Sequence, residues 1–162
     1  MTFATKPSNP GVRFPPPLIF LLGLGLAWLL DTRVLSLPIS RVHSQGHLLQ
    51  NTGYAAVILG LLLVFWGMVT FARAKTAIFP MRAASRIVDH GPYRFTRNPM
   101  YTGLSIAYLG GALLMNSVWA LMLLPFVIAI VSRYVIAREE RYLSSAFGED
   151  YASYTRRVRR WI

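Results

Sequence analysis

The sequence predicts an all-α integral membrane protein with about four transmembrane helices, a C-terminal helical hairpin and an interfacial amphipathic C-terminal helix. Three observations carry that expectation. Apolar residues make up 54% of the 162 residues and charged residues only 14%, about half the charged share of a soluble domain. The apolar residues gather into runs long enough to be spans. Fifteen of the 17 basic residues are arginine, and they flank those runs. The net charge of +11 is therefore read as a basic face against a membrane lipid bilayer, with no nucleic acid as partner. The chain has no cysteine, which excludes disulfides, thiolate nucleophiles and cysteine-ligated metals. Its length suits a single membrane domain, 1–162.

Residues 1–17 form a polar, Pro-rich tail in which Pro15, Pro16 and Pro17 favour an extended lead-in; no cleaved signal peptide is read there. The first two spans occupy 18–72. The first, Leu18 to Leu35, has an uncharged core of 13 residues, LIFLLGLGLAWLL, before Asp31 and Arg33, short for a hydrocarbon layer of about 30 Å. Residues 36–53 read as a polar connection in which His43 and His47 lie one helical turn apart. Two histidines without a third ligand do not make a metal site, and no metal is expected. Tyr54 to Ala72 gives 19 residues without a charge, the clearest span, with Gly60 and Gly67 on one face marking a close helix contact.

Residues 73–99 carry Arg73, Lys75, Arg82, Arg86, Arg94 and Arg97 against a single acid, Asp89. By the positive-inside rule this segment is cytoplasmic. Pro80, Gly91, Pro92 and Pro99 divide it, so an ordered loop with one helical turn is expected. Residues 100–136 form the hairpin: Met100–Asn116 and Val118–Val135, joined across Asn116 and Ser117. Gly103, Ala107 and Gly111 make a small-residue stripe, and Pro125 is expected to kink the last span. In 137–162, Tyr142, Leu143, Phe147, Tyr151, Tyr154, Val158 and Trp161 follow helical spacing, ahead of a basic end, and Gly148 interrupts them.

An even number of spans returns both termini, and both ends of the hairpin, to one face. That brings GPYRFTRNPMYTG, residues 91–103, toward Glu139 and Glu140, about 38 positions on. Arginine suits a carboxylate or phosphate, glutamate suits hydroxyls or an ammonium group, and tyrosine rings suit a base or a cation. Taken singly, arginines beside spans are topology anchors, tyrosines are interface belts, and the glutamates balance Arg138 and Arg141. Together on one face they suit a ligand with an amino acid end, a ribose and a base. S-adenosylmethionine, NADPH and a lipid headgroup all satisfy that description.

The run Arg97-Asn98-Pro99-Met100-Tyr101, the hairpin, Glu139-Glu140 and Phe147-Gly148-Glu149-Asp150-Tyr151-Ala152-Ser153-Tyr154 resemble the isoprenylcysteine carboxyl methyltransferase and phospholipid methyltransferase family. The resemblance covers roughly residues 70–160. It implies an integral membrane enzyme using S-adenosylmethionine and a hydrophobic or lipid-like methyl acceptor. It implies cofactor contacts at Ser85, Arg86, Ile87, Val88, Tyr93, Asn98, Pro99, Met100, Tyr101 and Glu139. Two positions depart from the prenylcysteine enzymes: Asn98 stands where they have histidine, and Val135 where they have a substrate-facing arginine. In the mechanism expected, Arg97 orients the cofactor's carboxylate and Glu139 its amino or ribose groups. Glu140 positions or deprotonates an acceptor that arrives from the bilayer between the second and fourth spans. The alternatives are an NADPH-dependent reductase of the sterol type and a non-catalytic membrane protein. The expected location is a bacterial inner membrane, with the cofactor site and both termini cytoplasmic.

Overall fold

The computed structural model describes residues 11, 12, 14–41, 43–75 and 86–161, except the side chains of 43–46. The described residues are helical, and they contain no strand. Helix α1 spans Pro16–Arg33 and α2 His43–Arg73; a 3-10 turn follows at Gly91–Arg94; α3 is Pro99–Leu114 and α4 Val118–Ile130. A π turn, Val131–Ile136, joins α4 to α5, Ala137–Phe147, and α6 covers Glu149–Arg157.

Helix α1 begins inside the proline run. Pro16 and Pro17 lie in its first turn, where the missing N–H groups have no intrahelical role and the fixed φ suits a helix. Helix α2 begins eleven residues before the expected span, absorbing the polar stretch from His43 on. Packing explains the difference. A Cβ built at Gly53 would lie 2.8 Å from Leu114 Cγ and 3.1 Å from the Gly110 carbonyl, so this part of α2 lies directly against α3.

The same seam continues along both helices. A Cβ at Gly60 would come within 2.4 Å of the Gly103 carbonyl oxygen and 2.9 Å of Ala107 Cβ, and one at Gly67 within 2.7 Å of Met100 Cγ. Small residues let the two backbones touch, as helices in lipid do when no water drives them together. The expected stripe on α3 divides: Gly103 and Ala107 face α2, whereas Gly111 faces Leu24 of α1.

The main core joins α1, α3, α4 and the π turn through Phe20, Ala27, Tyr108, Ala112, Ala120, Val127, Val131, Val135 and Ile136. On the outside, Leu21, Leu22 and Trp28 of α1 and Leu59, Leu62 and Phe65 of α2 are exposed. An apolar belt of that extent is stable only against lipid. Among the described residues, three helices are long and apolar enough to cross a membrane: Pro16–Arg33, His47–Arg73 and Val118–Phe147. The chain is a multi-pass membrane protein. Helix α3 has 16 residues, about 24 Å of rise, and the expected count of four spans rests on it.

The last crossing helix runs unbroken through Pro125 to Ile130, and the departure from α geometry comes later, at the π turn. It also continues past Val135 as α5, to Gly148, where a φ of 53° ends it. That left-handed turn sends α6 back across the end of the bundle. Tyr151, Tyr154 and Val158 are consequently buried against Ile87, Leu143 and Phe147, so this part of the amphipathic face covers protein.

The two ends of the bundle are distinct. At one, Arg138 Nη1 donates to the Gly11 carbonyl at 2.9 Å, which puts the start of α1 beside the start of α5. At the other, Val118 N donates to Leu37 O at 2.9 Å and Ile39 N to Asn116 O at 3.1 Å.

Candidate active site

The first end of the bundle gathers the polar motifs. Pro99 occupies the first turn of α3 and is fully buried, fixing how the Arg97–Asn98 segment joins the helix. The Tyr101 hydroxyl, in the same first turn, donates to Glu139 Oε1 at 2.7 Å. Glu139 forms no ion pair among the described residues. Its neighbour Glu140 forms an ion pair with Arg97, whose Nη1 lies 3.1 Å from Oε1, and accepts from the fork of Arg160, Nε at 3.0 Å and Nη2 on the second carboxylate oxygen. The hydrogen bonds that Arg160 donates to Glu140 raise its guanidinium pKa above the ordinary value, so this residue is a cation at any working pH. Arg97 and Glu140 are each 17% exposed, so their pairing is largely removed from solvent.

Around this pair the chain end forms a clasp. Arg97 N donates to Arg159 O at 2.9 Å. Thr96 Oγ1 donates to Arg160 O at 3.1 Å, and Asn98 Nδ2 donates to the same carbonyl at 3.0 Å. Asparagine at a helix N-cap ordinarily satisfies a first-turn N–H. Here the Asn98 side chain makes no such cap, because it is turned to the chain end instead. Thr96 Oγ1 also accepts from Asn98 N at 3.2 Å.

A second wall comes from the 3-10 turn. Tyr93 packs its ring 4.8 Å from that of Phe71, and its carbonyl accepts the Tyr154 hydroxyl at 2.7 Å. Burial is the main reason that both phenols are held protonated, well above their ordinary pKa. The left-handed φ of 60° at Gly91 and the closeness of Thr70, 2.9 Å from a Cβ there, leave room only for glycine before Pro92.

Two polar atoms in this cluster are buried without a hydrogen-bond partner: Tyr93 Oη and Arg97 Nε. Buried donors are nearly always satisfied. These two share a cluster with Glu139, while Thr102 Oγ1 and Tyr108 Oη, elsewhere on α3, are likewise buried without a partner. The Glu139 cluster offers an unpartnered guanidinium Nε for an anionic group and a carboxylate for a cationic or hydroxyl group. That donor and acceptor set fits S-adenosylmethionine.

Of the residues expected from sequence, Arg97, Asn98, Tyr101, Glu139 and Glu140 share one cluster with Pro99. Met100 lies half-buried against Gly67, and a Cβ at Gly67 would sit 3.4 Å from Tyr93 Oη. Val88 is buried with Ala74 and Tyr93. Ile87 packs under Tyr151 and Tyr154, and the Arg86 residue is exposed. Ser85 lies outside the described residues. Val135 is fully buried in the main core and faces no site. Sequence reasoning missed Thr96 and Arg160. Thr96 sits within the motif and was available to it, whereas Arg160 is one of four arginines in the last seven residues, with nothing to single it out.

The sequence model of the phospholipid methyltransferase family matches residues 49–150. Protein-S-isoprenylcysteine O-methyltransferase B of Arabidopsis thaliana is 31% identical over 116 residues, 68% of this chain and 57% of that protein. The cobalt-zinc-cadmium resistance protein CzcN of Cupriavidus metallidurans is 30% identical over 109 residues, 67% of this chain and 50% of that protein. An uncharacterized protein of Haemophilus influenzae is 36% identical over 63 residues, which are 39% of this chain and all of that protein. The chain thus spans about half the length of the first two. No solved structure matches. With a family match over more than half its length, embracing the α2–α3 seam, Arg97–Tyr101 and the Glu139–Glu140 pair, this chain belongs to the phospholipid methyltransferase family of membrane methyltransferases.

Proposed function

We propose that this chain transfers a methyl group from S-adenosylmethionine to a hydrophobic, lipid-like acceptor, at the cytoplasmic face of a bacterial inner membrane. The observation that carries this reading is the meeting of Tyr101 with Glu139 at 2.7 Å beside the unpartnered Arg97 Nε and Tyr93 Oη. The family decides between a methyl donor and a reduced nicotinamide in favour of the donor. When bound, S-adenosylmethionine supplies an electrophilic methyl group on a positive sulfur.

The chain's own residues then have simple tasks. Glu139, oriented by Tyr101, receives a cationic or hydroxyl group of the cofactor. Arg97 presents its unpartnered Nε to a carboxylate, and Tyr93 offers a protonated hydroxyl. Arg86, Ile87 and Val88 supply the neighbouring wall, with Asn98, Pro99 and Met100 beneath. Catalysis in such a site is positioning and exclusion of water.

Glu140 acts by position. Arg97 and Arg160 both occupy its carboxylate. An acceptor that arrives with its lone pair free, such as a carboxylate or a thiolate, suits this site better than one that needs a base. The acceptor reaches the site from the bilayer, between α2 and α4. The basic residues of the site end, Arg73, Arg94, Arg138, Arg141 and the arginines of 156–160, support the cytoplasmic orientation.

The test is calorimetry on the detergent-purified chain, titrated in parallel with S-adenosylhomocysteine and NADPH. Micromolar binding of S-adenosylhomocysteine alone is expected; binding of NADPH alone would overturn the reading. Mass spectrometry of membrane extracts given labelled methyl donor, with and without the expressed chain, then identifies the acceptor.

A further inference from the structure

We propose that Arg160 is a positioning residue, which keeps the Nε of Arg97 free for the ligand by occupying most of Glu140. The inference rests on the reading given above, and it concerns a residue beyond 49–150, the segment that the family shares.

The argument is one of hydrogen-bond capacity. A carboxylate and a guanidinium left to themselves pair through two parallel bonds. Arg97 and Glu140 do not. Glu140 takes two bonds from the Arg160 fork, Nε at 3.0 Å and Nη2 on the other oxygen. Arg97 reaches it through Nη1 at 3.1 Å and keeps Nε buried and unpartnered. Without the Arg160 fork, Glu140 has a vacant oxygen, and Arg97 gains by turning its second edge onto it. The group that would meet an anionic ligand is then lost to an internal pair.

The side chain of Arg160 is separable from the docking of the chain end. Thr96 and Asn98 bind the main-chain carbonyl at 160, Arg97 N binds the carbonyl at 159, and Trp161 packs against the main core. All of these survive truncation of the Arg160 side chain, which is 41% exposed.

The experiment is a double-mutant cycle read by S-adenosylhomocysteine calorimetry, with thermal unfolding in detergent as the control for fold. R160A is expected to bind about tenfold more weakly, in the range of coupled charged neighbours. In an E140Q background, adding R160A is expected to change affinity by less than about twofold. R160K keeps the charge but not the fork, and is expected to recover only part of the loss; it also serves if R160A does not yield folded protein. R156A, at an exposed pair with Glu149, is expected to bind as the wild type does. Wild-type affinity in both R160A and R160K overturns the inference and leaves the methyl-transfer reading standing. A loss in R160A that persists undiminished in E140Q overturns the route through Glu140. A wild-type chain that binds no S-adenosylhomocysteine overturns both.

Discussion

The two ends of the α3–α4 hairpin are both polar, yet they are built on opposite plans. At the far turn, Asn116 Nδ2 donates to Ser40 O at 2.9 Å while its Oδ1 accepts from Ser40 N at 2.9 Å. Ser117 caps α4 by accepting from Ala120 N, and Trp119 Nε1 donates to Leu35 O at 2.8 Å. Each of these side chains meets the main chain and has its partner. At the near end, side chains also meet side chains, Tyr101 with Glu139 and both Arg97 and Arg160 with Glu140, and Arg97 Nε and Tyr93 Oη are left over. A closed polar network holds a turn in place, whereas one with unsatisfied groups in a dry setting is held in readiness for something else.

Substitutions at the two ends are therefore expected to separate binding from stability. Glu139→Ala has the largest expected effect: it removes the unpaired carboxylate and should weaken S-adenosylhomocysteine binding about a hundredfold by calorimetry, the low end for truncating a buried charged partner. Unchanged affinity would remove Glu139 from the site. Gly60→Val comes next and tests the seam that aligns both ends. A Cβ there meets the Gly103 carbonyl at 2.4 Å, so α2 and α3 must part, at about 1–3 kcal/mol or more, read as a lowered unfolding temperature. Asn116→Ala is the sharpest contrast with Glu139→Ala: it should cost about 1–3 kcal/mol of stability while leaving nucleotide affinity as it was. Tyr154→Phe has the smallest expected effect. It loses the bond to the Tyr93 carbonyl, about 1 kcal/mol, and because the phenol is held protonated by burial this loss should be the same from pH 6 to pH 9, a window wholly below even the ordinary tyrosine value of about 10.

Much of this was legible in the chain itself, and the reason is that lipid makes strong demands. A hairpin of two apolar runs joined by Asn116 and Ser117 has one compact solution, and it carries Glu139 to Tyr101 whatever the details. Gly148 broke the final helix where expected, since a left-handed turn favours glycine. Other features left no trace in composition. The polar residues 43–50 show no apolar period; they extend a helix that packs against α3 from Gly53 onward. The chain-end clasp works largely through the carbonyls of 159 and 160, and every residue type has a carbonyl. Tyr154 was read as part of an amphipathic stripe; its hydroxyl's partner, a main-chain oxygen 61 positions away, has no spacing to betray it.

The π turn at Val131–Ile136 bears on how this chain is to be aligned with others. Such a turn holds one residue more than an α-helix needs, and each residue added or removed swings everything beyond it by about 100° around the axis. Glu139 and Glu140 begin just after it. A relative lacking that extra residue should show a one-position gap within 131–136 and still offer both acids to the same neighbours. The same gap placed within 137–140 would turn them toward hydrocarbon.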